Sequence, residues 1–227
     1  MTYEEVVSEI EKLSTEKLKK FTEKLTPTHD RVYGARVPDL RALAKRVAAA
    51  GAEDFLAHEK FSLEEKMVHG FVLCYQKLPF GEFSQKIAAF AEQMDNWAVC
   101  DCVAATCKAV GKNAETFLPV LDSLLADEKP FSRRFALVLL LDHYMEERRA
   151  EKIFAACDGV KRGEYYVDMA IAWLLSVCWV KMPEKTKNYL AGCALEEDIL
   201  KKTARKILES RRVSEAEKQN IRKNGVK

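Results

Sequence analysis

Apolar residues recur at helical spacing along the whole chain, and this pattern limits the fold more than any other feature of the sequence. Strand-like alternation is absent, and only nine glycines and six prolines occur in 227 residues, which disfavours a turn-rich all-β fold. The sequence therefore predicts an all-α protein with short connections, apart from a substantial loop at Thr26–Val37. The predicted amphipathic segments are 3–14, 15–25, 38–50, 52–58, 63–77, 80–94, 97–111, 114–126, 130–144, 147–158, 164–181, 184–193, 196–209 and 215–224.

Helix-start signals support these boundaries. A Ser or Thr followed three residues later by Glu predicts a capping box, in which the two residues satisfy each other's backbone N–H groups. Proline suits a first helical turn, where its missing N–H costs nothing. The capping pairs are Thr2 with Glu5, Ser62 with Glu65 and Ser214 with Glu217, and the prolines are Pro38 and Pro183.

The predicted helices form pairs with a nearly constant period. First helices begin near Ser62, Trp97, Phe131 and Tyr166, at intervals of 35, 34 and 35 residues, and a more polar helix follows each. A two-helix period of this size is typical of an α-solenoid, in which each hairpin buries its apolar face against the next. Identity between the repeats is poor. We therefore expect HEAT-like antiparallel helix pairs in one curved domain over residues 1–227, with one helix of each pair lining a concave surface.

Composition indicates a soluble globular protein in a reducing compartment. Hydrophobic residues make up 48% and charged residues 32% of the chain, and no segment approaches the ~20 apolar residues of a membrane span. The seven cysteines are odd in number, lie in apolar helical runs and form no CxxC pair, which favours buried thiols over disulfides or zinc. Cys100 and Cys102 point apart on a helix. We expect a cytoplasmic monomer without a metal or a membrane contact.

Positive charge is concentrated toward the C-terminus. Residues 181–227 contain 13 lysines and arginines against 7 acidic residues, a net charge of +6, so residues 1–180 have a net charge of −4. A basic segment of this kind is compatible with a polyanion along one side of the protein, although charge alone favours a solvated helical face.

Motifs for metal, nucleotide or serine chemistry are missing. The four histidines are isolated, without HExxH or a histidine partner four residues away, and the chain has no P-loop, GxGxxG or Gly-x-Ser-x-Gly. Kinases, dehydrogenases and serine hydrolases are therefore disfavoured, and we expect no cofactor. The histidines are His29, His58, His69 and His143.

The candidate chemistry lies instead on the first helices of the pairs. Trp97 and Asp101 are four residues apart, so an indole and a carboxylate share one helical face. A core tryptophan beside a surface aspartate is the simpler interpretation of that pair. Two further observations favour a site: Arg133 and Arg134 open the next first helix, where the helix dipole also favours anions, and Trp173 lies on the one after that.

Four segments, in order and over nearly the whole chain, resemble the HEAT-like DNA alkylation repair proteins, and in particular alkylpurine DNA glycosylases of the AlkD type. The first resembles the family's N-terminal signature, the second its tryptophan/aspartate motif, the third its arginine-bearing helix and the fourth its second tryptophan-bearing helix. The segments are Tyr33-Gly34-Ala35-Arg36-Val37-Pro38-Asp39-Leu40-Arg41, Asn96 to Asp101, Ser132-Arg133-Arg134-Phe135-Ala136 and Tyr165 to Trp173.

The resemblance implies an activity and a role for each matching residue. Trp97 and Trp173 would contact the alkylated nucleotide, and Asp101 would be the catalytic carboxylate. The expected DNA-binding residues are Arg134, which would hold a backbone phosphate, Arg133 and Tyr33. The implied enzyme is a monofunctional glycosylase that releases 3-methyladenine and 7-methylguanine from duplex DNA, and no lysine adjoins the Trp97/Asp101 pair to form a Schiff base.

The sequence departs from the family pattern at two positions and leaves two other functions open. Ser176 stands where the family often presents a basic side chain, and Ala98 follows Trp97. The main alternative is a non-catalytic HEAT-like protein that binds distorted or branched DNA through its basic residues. The other is a scaffold for protein partners, as many α-solenoids are.

Overall fold

The computed structural model describes residues 1–226, and it contains fifteen α-helices and no strand within them. The all-α prediction is confirmed, with helices stacked as in an α-solenoid. The chain divides into two compact units, Met1–Asn113 and residues 114 onward. The helices are α1 Tyr3–Leu13, α2 Glu16–Leu25, α3 Val37–Ala50, α4 Glu53–Ala57, α5 Leu63–Tyr75, α6 Phe80–Ala91, α7 Trp97–Ala104, α8 Lys108–Lys112, α9 Ala114–Ala126, α10 Pro130–His143, α11 Ala150–Gly159, α12 Tyr165–Lys181, α13 Pro183–Gly192, α14 Glu197–Glu209 and α15 Glu215–Asn224.

In the first unit α3, α5 and α7 pack in sequence, and α1, α4 and α6 flank them. The contact between α5 and α7 is close because Gly70 has no side chain: a Cβ placed there would lie 2.4 Å from Cγ2 of Val103. Glycine within a helix costs about 1 kcal/mol relative to alanine, and here it allows the two backbones to approach. Buried Leu40, Val68 and Phe71 fill this core.

In the second unit α10, α12 and α14 form the corresponding row, flanked by α9, α11 and α13. The row is strongly buried: α10 buries nine and α12 ten of its residues, and most of these are apolar. The last helix, α15, packs on α14, and it is also held by a 2.8 Å hydrogen bond from Nε1 of Trp179 to Glu217.

The predicted repeat is confirmed within each unit. The helices expected near Ser62, Trp97, Phe131 and Tyr166 begin within one residue of those positions. Thr26–Val37 is confirmed as an irregular loop up to Arg36, with a single bridge between Arg31 and Ser62. Within residues 1–226 no helix is long and apolar enough to cross a membrane.

The predicted caps are present in two forms. Thr2 and Glu5 make a complete capping box. Ser62 and Ser214 accept the expected N–H of the third helical residue. The carboxylate of Glu65 also accepts from the hydroxyl of Ser62. Glu65 accepts from the backbone N–H of Phe61 and the hydroxyl of Tyr3, and Glu217 accepts from Trp179.

One long helix predicted over 97–111 is wrong, because α7 ends at Ala104 and α8 begins at Lys108. The hydroxyl of Thr106 donates to the carbonyl of Cys102, and the guanidinium of Arg41 donates to the same carbonyl and to Oγ1 of Thr106. Local side-chain bonds of this kind compete with the helical ladder. The segment predicted at 147–158 likewise begins with a 3-10 turn, Glu147–Arg149, before α11.

A candidate DNA-lesion site

The start of α7 fixes the positions of Trp97 and Asp101. Asn96 is fully buried, and its side-chain oxygen accepts the N–H of Val99 at 3.0 Å, which satisfies an N-terminal donor and sets the register of the helix. Its amide nitrogen donates to Asp95 at 2.8 Å. Trp97 is thus the first helical residue, and Asp101 follows one turn later on the same face; both are half-buried.

An apolar cleft of about 390 Å³ lies against the indole of Trp97. Its other walls are α2, the segment that leads into α3, and the first turns of α5. On α2, Phe21 is 58% exposed and Leu25 is 50% exposed, an unusual exposure for large apolar side chains. Nε1 of Trp97 donates to the carbonyl of Leu25 over a long 3.4 Å. The cleft therefore presents the aromatic rings of Trp97 and Phe21, together with aliphatic side chains, to a ligand.

A buried glutamate shapes the chain beside this cleft. The carboxylate of Glu64, only 2% exposed, accepts the backbone N–H groups of Tyr33, Gly34 and Ala35 at 2.9, 2.7 and 3.3 Å. Glu64 lies in the first turn of α5, where the helix dipole favours a negative charge. These bonds hold residues 33–35, which belong to the first of the four family-like segments, against α5.

Gly34 is required at its position for two reasons. Its φ of +91° is a conformation that side-chain-bearing residues rarely adopt, and a Cβ there would lie 2.4 Å from the backbone nitrogen of Lys19. The carbonyl of Gly34 also accepts the N–H of Thr15, the residue before α2. Gly34 therefore brings α2 against the loop, and α2 forms one wall of the cleft.

Tyr33 itself points into the protein and is only 9% exposed. The guanidinium of Arg31 lies over its ring, 4.2 Å from the centroid. Burial raises the pKa of the Tyr33 hydroxyl. In this arrangement Tyr33 supports the loop and does not form part of an open surface.

In the second unit, both predicted arginines are buried at the start of α10. Arg133 is 1% exposed, and its Nη1 donates to the carbonyls of Asp127 and Glu128 at 2.7 and 2.8 Å. Arg134 is 6% exposed, and its Nη1 donates to the carbonyl of Tyr166 at 2.8 Å. Arg133 therefore fastens the turn before α10, and Arg134 connects α10 to the first turn of α12.

Aromatic rings surround the Arg134 contact. Phe131 and Tyr166 have centroids 5.4 Å apart, and Tyr165 meets Tyr166 edge to face at 5.1 Å. Tyr165 is 61% exposed. Trp173 lies about two turns further along α12 and is half-buried.

The predicted residues thus form two groups. The first unit contains Trp97, Asp101 and Tyr33, and the second contains Arg133, Arg134 and Trp173. Sequence reasoning missed Phe21, Leu25 and Glu64. The spacing of Leu18, Phe21 and Leu25 places them on one face of α2, which is a usable signal for the two apolar residues. Nothing local distinguishes Glu64 from a surface glutamate of a first helical turn.

Comparison with protein-family models shows the family of this chain. A family model described as DNA alkylation repair enzyme matches residues 6–207. The protein belongs to the DNA alkylation repair enzyme family. A search of curated proteins gave no match. The family match includes all six predicted site residues and ends within α14, so α15 lies beyond it.

This DNA alkylation repair protein has no cluster of three or more His, Cys, Asp or Glu residues that could hold a metal ion, as far as residues 1–226 are concerned. All seven cysteines are free thiols. Four of them, Cys100, Cys107, Cys157 and Cys178, are buried, as the sequence predicts. The Trp97 cleft is lined by the indole, by apolar side chains such as Phe21 and Leu25, and by Glu64, whereas Asp101 lies one turn further along α7 and is not among its lining residues.

Proposed function

We propose that this member of the family is a monofunctional DNA glycosylase that hydrolyses the N-glycosidic bond of cationic N3- or N7-alkylated purines in duplex DNA. The observation that carries the proposal is the placement of Trp97 and Asp101. They lie one turn apart on a capped helix, with both side chains half-buried, and Trp97 borders an apolar cleft. Membership of the DNA alkylation repair enzyme family supports the choice of substrate.

The reaction requires little from the protein beyond charge and position. Alkylation at N3 or N7 gives the purine a positive charge, so the base leaves readily and takes the glycosidic electron pair. The sugar then has oxocarbenium character, which a carboxylate in a preorganised site stabilises. We assign that role to Asp101, which also positions the water that attacks C1′. The products are the free base and an abasic site, with one proton released.

The aromatic ring contributes attraction to the cationic nucleotide. A cation over the face of an indole gains about 0.5–2 kcal/mol, more when water is excluded. Trp97 faces a cleft whose walls include Phe21 and Leu25, so a nucleotide there loses contact with solvent. We assign the same kind of contact to Trp173.

Burial changes what we propose for the DNA-binding residues. Tyr33 and Arg133 lie beneath the surface, so we propose that they position the loop before α3 and the turn before α10 instead of touching phosphate. Arg134 is also buried, at 6% exposed, but it lies near the N-terminus of α10, where the helix dipole favours an anion, so it stays the proposed phosphate contact. An Arg134→Lys variant keeps the charge but loses the fork. We expect weaker binding of methylated duplex from that variant.

The test is base release from methylated duplex DNA under single-turnover conditions, followed by chromatography. Asp101→Asn should lower the rate of 7-methylguanine release by at least about tenfold, equivalent to about 1.4 kcal/mol of barrier, while DNA binding stays within about twofold. Asp122→Asn is the matched control, because Asp122 is an exposed aspartate on α9 that pairs with Lys152. The abasic strand should stay intact until alkali is added.

Three outcomes would contradict the proposal. A near-wild-type rate for Asp101→Asn rules out Asp101 as the catalytic carboxylate. Binding of methylated DNA without base release by the wild-type protein favours the non-catalytic alternative, whose affinity should fall steeply with salt. Absence of DNA binding even at low salt favours a protein scaffold.

A further inference from the structure

Two thiols meet where α5 packs on α7. The Sγ atoms of Cys74 and Cys107 lie 3.3 Å apart. Cys74 belongs to the last turn of α5 and is half-buried, whereas Cys107 lies in the turn after α7 and is fully buried. One thiol is therefore open to a small reagent, and the second lies directly behind it.

The contact belongs to the closest part of the α5–α7 packing. Gly70 and Val103 meet one turn earlier, where a Cβ on the glycine would lie 2.4 Å from the valine. Cys74 and Cys107 are each four residues further along, and the N–H of Cys107 still bonds to the carbonyl of Val103 at 3.1 Å. The two thiols therefore occupy matching positions on neighbouring segments. A disulfide has an S–S length of about 2.05 Å, so the sulfurs need to approach by little more than about 1 Å.

We propose that Cys74 and Cys107 form a redox-active dithiol, which a hydroperoxide converts into an intramolecular disulfide. The proposal is independent of the glycosylase activity. It assigns the half-buried Cys74 as the residue that reacts with the oxidant and the fully buried Cys107 as the one that resolves the sulfenic acid.

The chemistry balances in two steps. The sulfur of Cys74, as thiolate, attacks one oxygen of the peroxide; the O–O bond breaks and a sulfenic acid forms. The departing hydroxide or alkoxide takes up a proton and becomes water or an alcohol, respectively. The sulfur of Cys107 then attacks the sulfenic sulfur as its thiol proton leaves, the S–S bond forms, and the S–O bond breaks with release of water. Together the two thiols lose two electrons and two protons, and the peroxide is reduced.

The disulfide would join the C-terminal end of α5 to the turn that ends α7. That turn is already held from α3, because the guanidinium of Arg41 donates to Thr106 and to the carbonyl of Cys102. Oxidation would therefore fix the end of the helix that contains Trp97 and Asp101. Reduction by an exogenous dithiol would release it.

The test uses the full chain, fully reduced and then exposed to hydrogen peroxide at one to a few equivalents. Remaining thiols are alkylated, and the protein is digested without reduction. We expect a cross-linked peptide pair containing Cys74 and Cys107, a mass loss of about 2 Da for the intact protein, and full reversal by dithiothreitol. The other five cysteines should be recovered as alkylated thiols.

Two variants make the result specific. Cys107→Ala should stop the reaction at a Cys74 sulfenic acid that dimedone traps, and Cys102→Ser should leave the cross-link unchanged. Cys102 is a suitable control because it is also half-buried in this unit, and burial raises the pKa of its thiol to about 11. Three results with the wild-type protein would overturn the proposal. These are recovery of Cys74 and Cys107 as alkylated thiols, over-oxidation of Cys74 without a cross-link, and a disulfide between other cysteines. The wild-type experiment decides the matter even if Cys107→Ala fails to fold.

Discussion

Removal of the Glu64 carboxylate should destabilise the first unit more than any surface substitution. Glu64 is 2% exposed and accepts three backbone N–H groups from the loop before α3. In Glu64→Ala those donors lose their acceptor while they stay in the protein interior. A buried donor without a partner costs about 1–3 kcal/mol.

The distances indicate how large the effect should be. The bonds to Tyr33 and Gly34, at 2.9 and 2.7 Å, are short and charge-assisted, whereas the bond to Ala35 at 3.3 Å is weak. Two strong bonds at about 1.5–3 kcal/mol each give an expected loss of about 3–6 kcal/mol for Glu64→Ala. Glu64→Gln keeps one oxygen, which can still serve Gly34 and Ala35, but turns an amide donor toward Tyr33. We expect about half the loss from this variant.

Urea unfolding followed by circular dichroism measures the change in free energy of unfolding, and hydrogen exchange locates it. The amides of Tyr33, Gly34 and Ala35 should exchange at least about tenfold faster in Glu64→Ala, because local opening becomes cheaper. Glu59→Ala, at an exposed position of the same unit, is the control and should change stability by less than about 0.5 kcal/mol. Equal midpoints for Glu64→Ala and wild type, with protected loop amides, would refute this account of the loop.

Three further predictions concern packing and titration. Gly70→Ala should cost about 1–3 kcal/mol by overpacking against Val103, and the loss should shrink in a Gly70→Ala/Val103→Ala double variant in the same urea assay. Burial lowers the pKa of His69 to about 4, so the unfolded chain binds a proton more readily than the folded chain between pH 6.5 and 4. The free energy of unfolding should therefore fall by up to about 3 kcal/mol as the pH drops through that window. In His69→Gln the free energy of unfolding should depend less steeply on pH. Trp179→Phe should lose the hydrogen bond to Glu217 and speed proteolysis at 208–214, whereas Glu217→Gln, which keeps an acceptor oxygen, should have a smaller effect.

Much of the fold follows from local sequence signals. The first helices of the pairs begin within a residue of their predicted starts. For α5, α7 and α10 a capping side chain or a proline acts on the adjacent turn. The break between α7 and α8 has one local contribution, the bond from the hydroxyl of Thr106 to the carbonyl of Cys102. Its other contribution could not be predicted in that way, because it comes from Arg41, which is more than 60 residues away in the chain and reaches the same carbonyl.

The same distinction between local signals and packing applies to the candidate site. The one-turn spacing of Trp97 and Asp101 follows from helix geometry, and the sequence was sufficient to predict it. Whether a side chain that resembles a DNA ligand is exposed or buried depends on its neighbours in space. The sequence offered Arg133 and Tyr33 as DNA contacts, yet the structure places both beneath the surface.

The sequence alone therefore determined the all-helical repeat, its caps and the shared face of Trp97 and Asp101, since each depends on contacts within a few residues. Tertiary structure alone decided three other features. These are the three N–H bonds to Glu64, the cleft that α2 forms against Trp97, and the contact between Cys74 and Cys107. All three depend on atoms that are distant in the chain and that packing brings together.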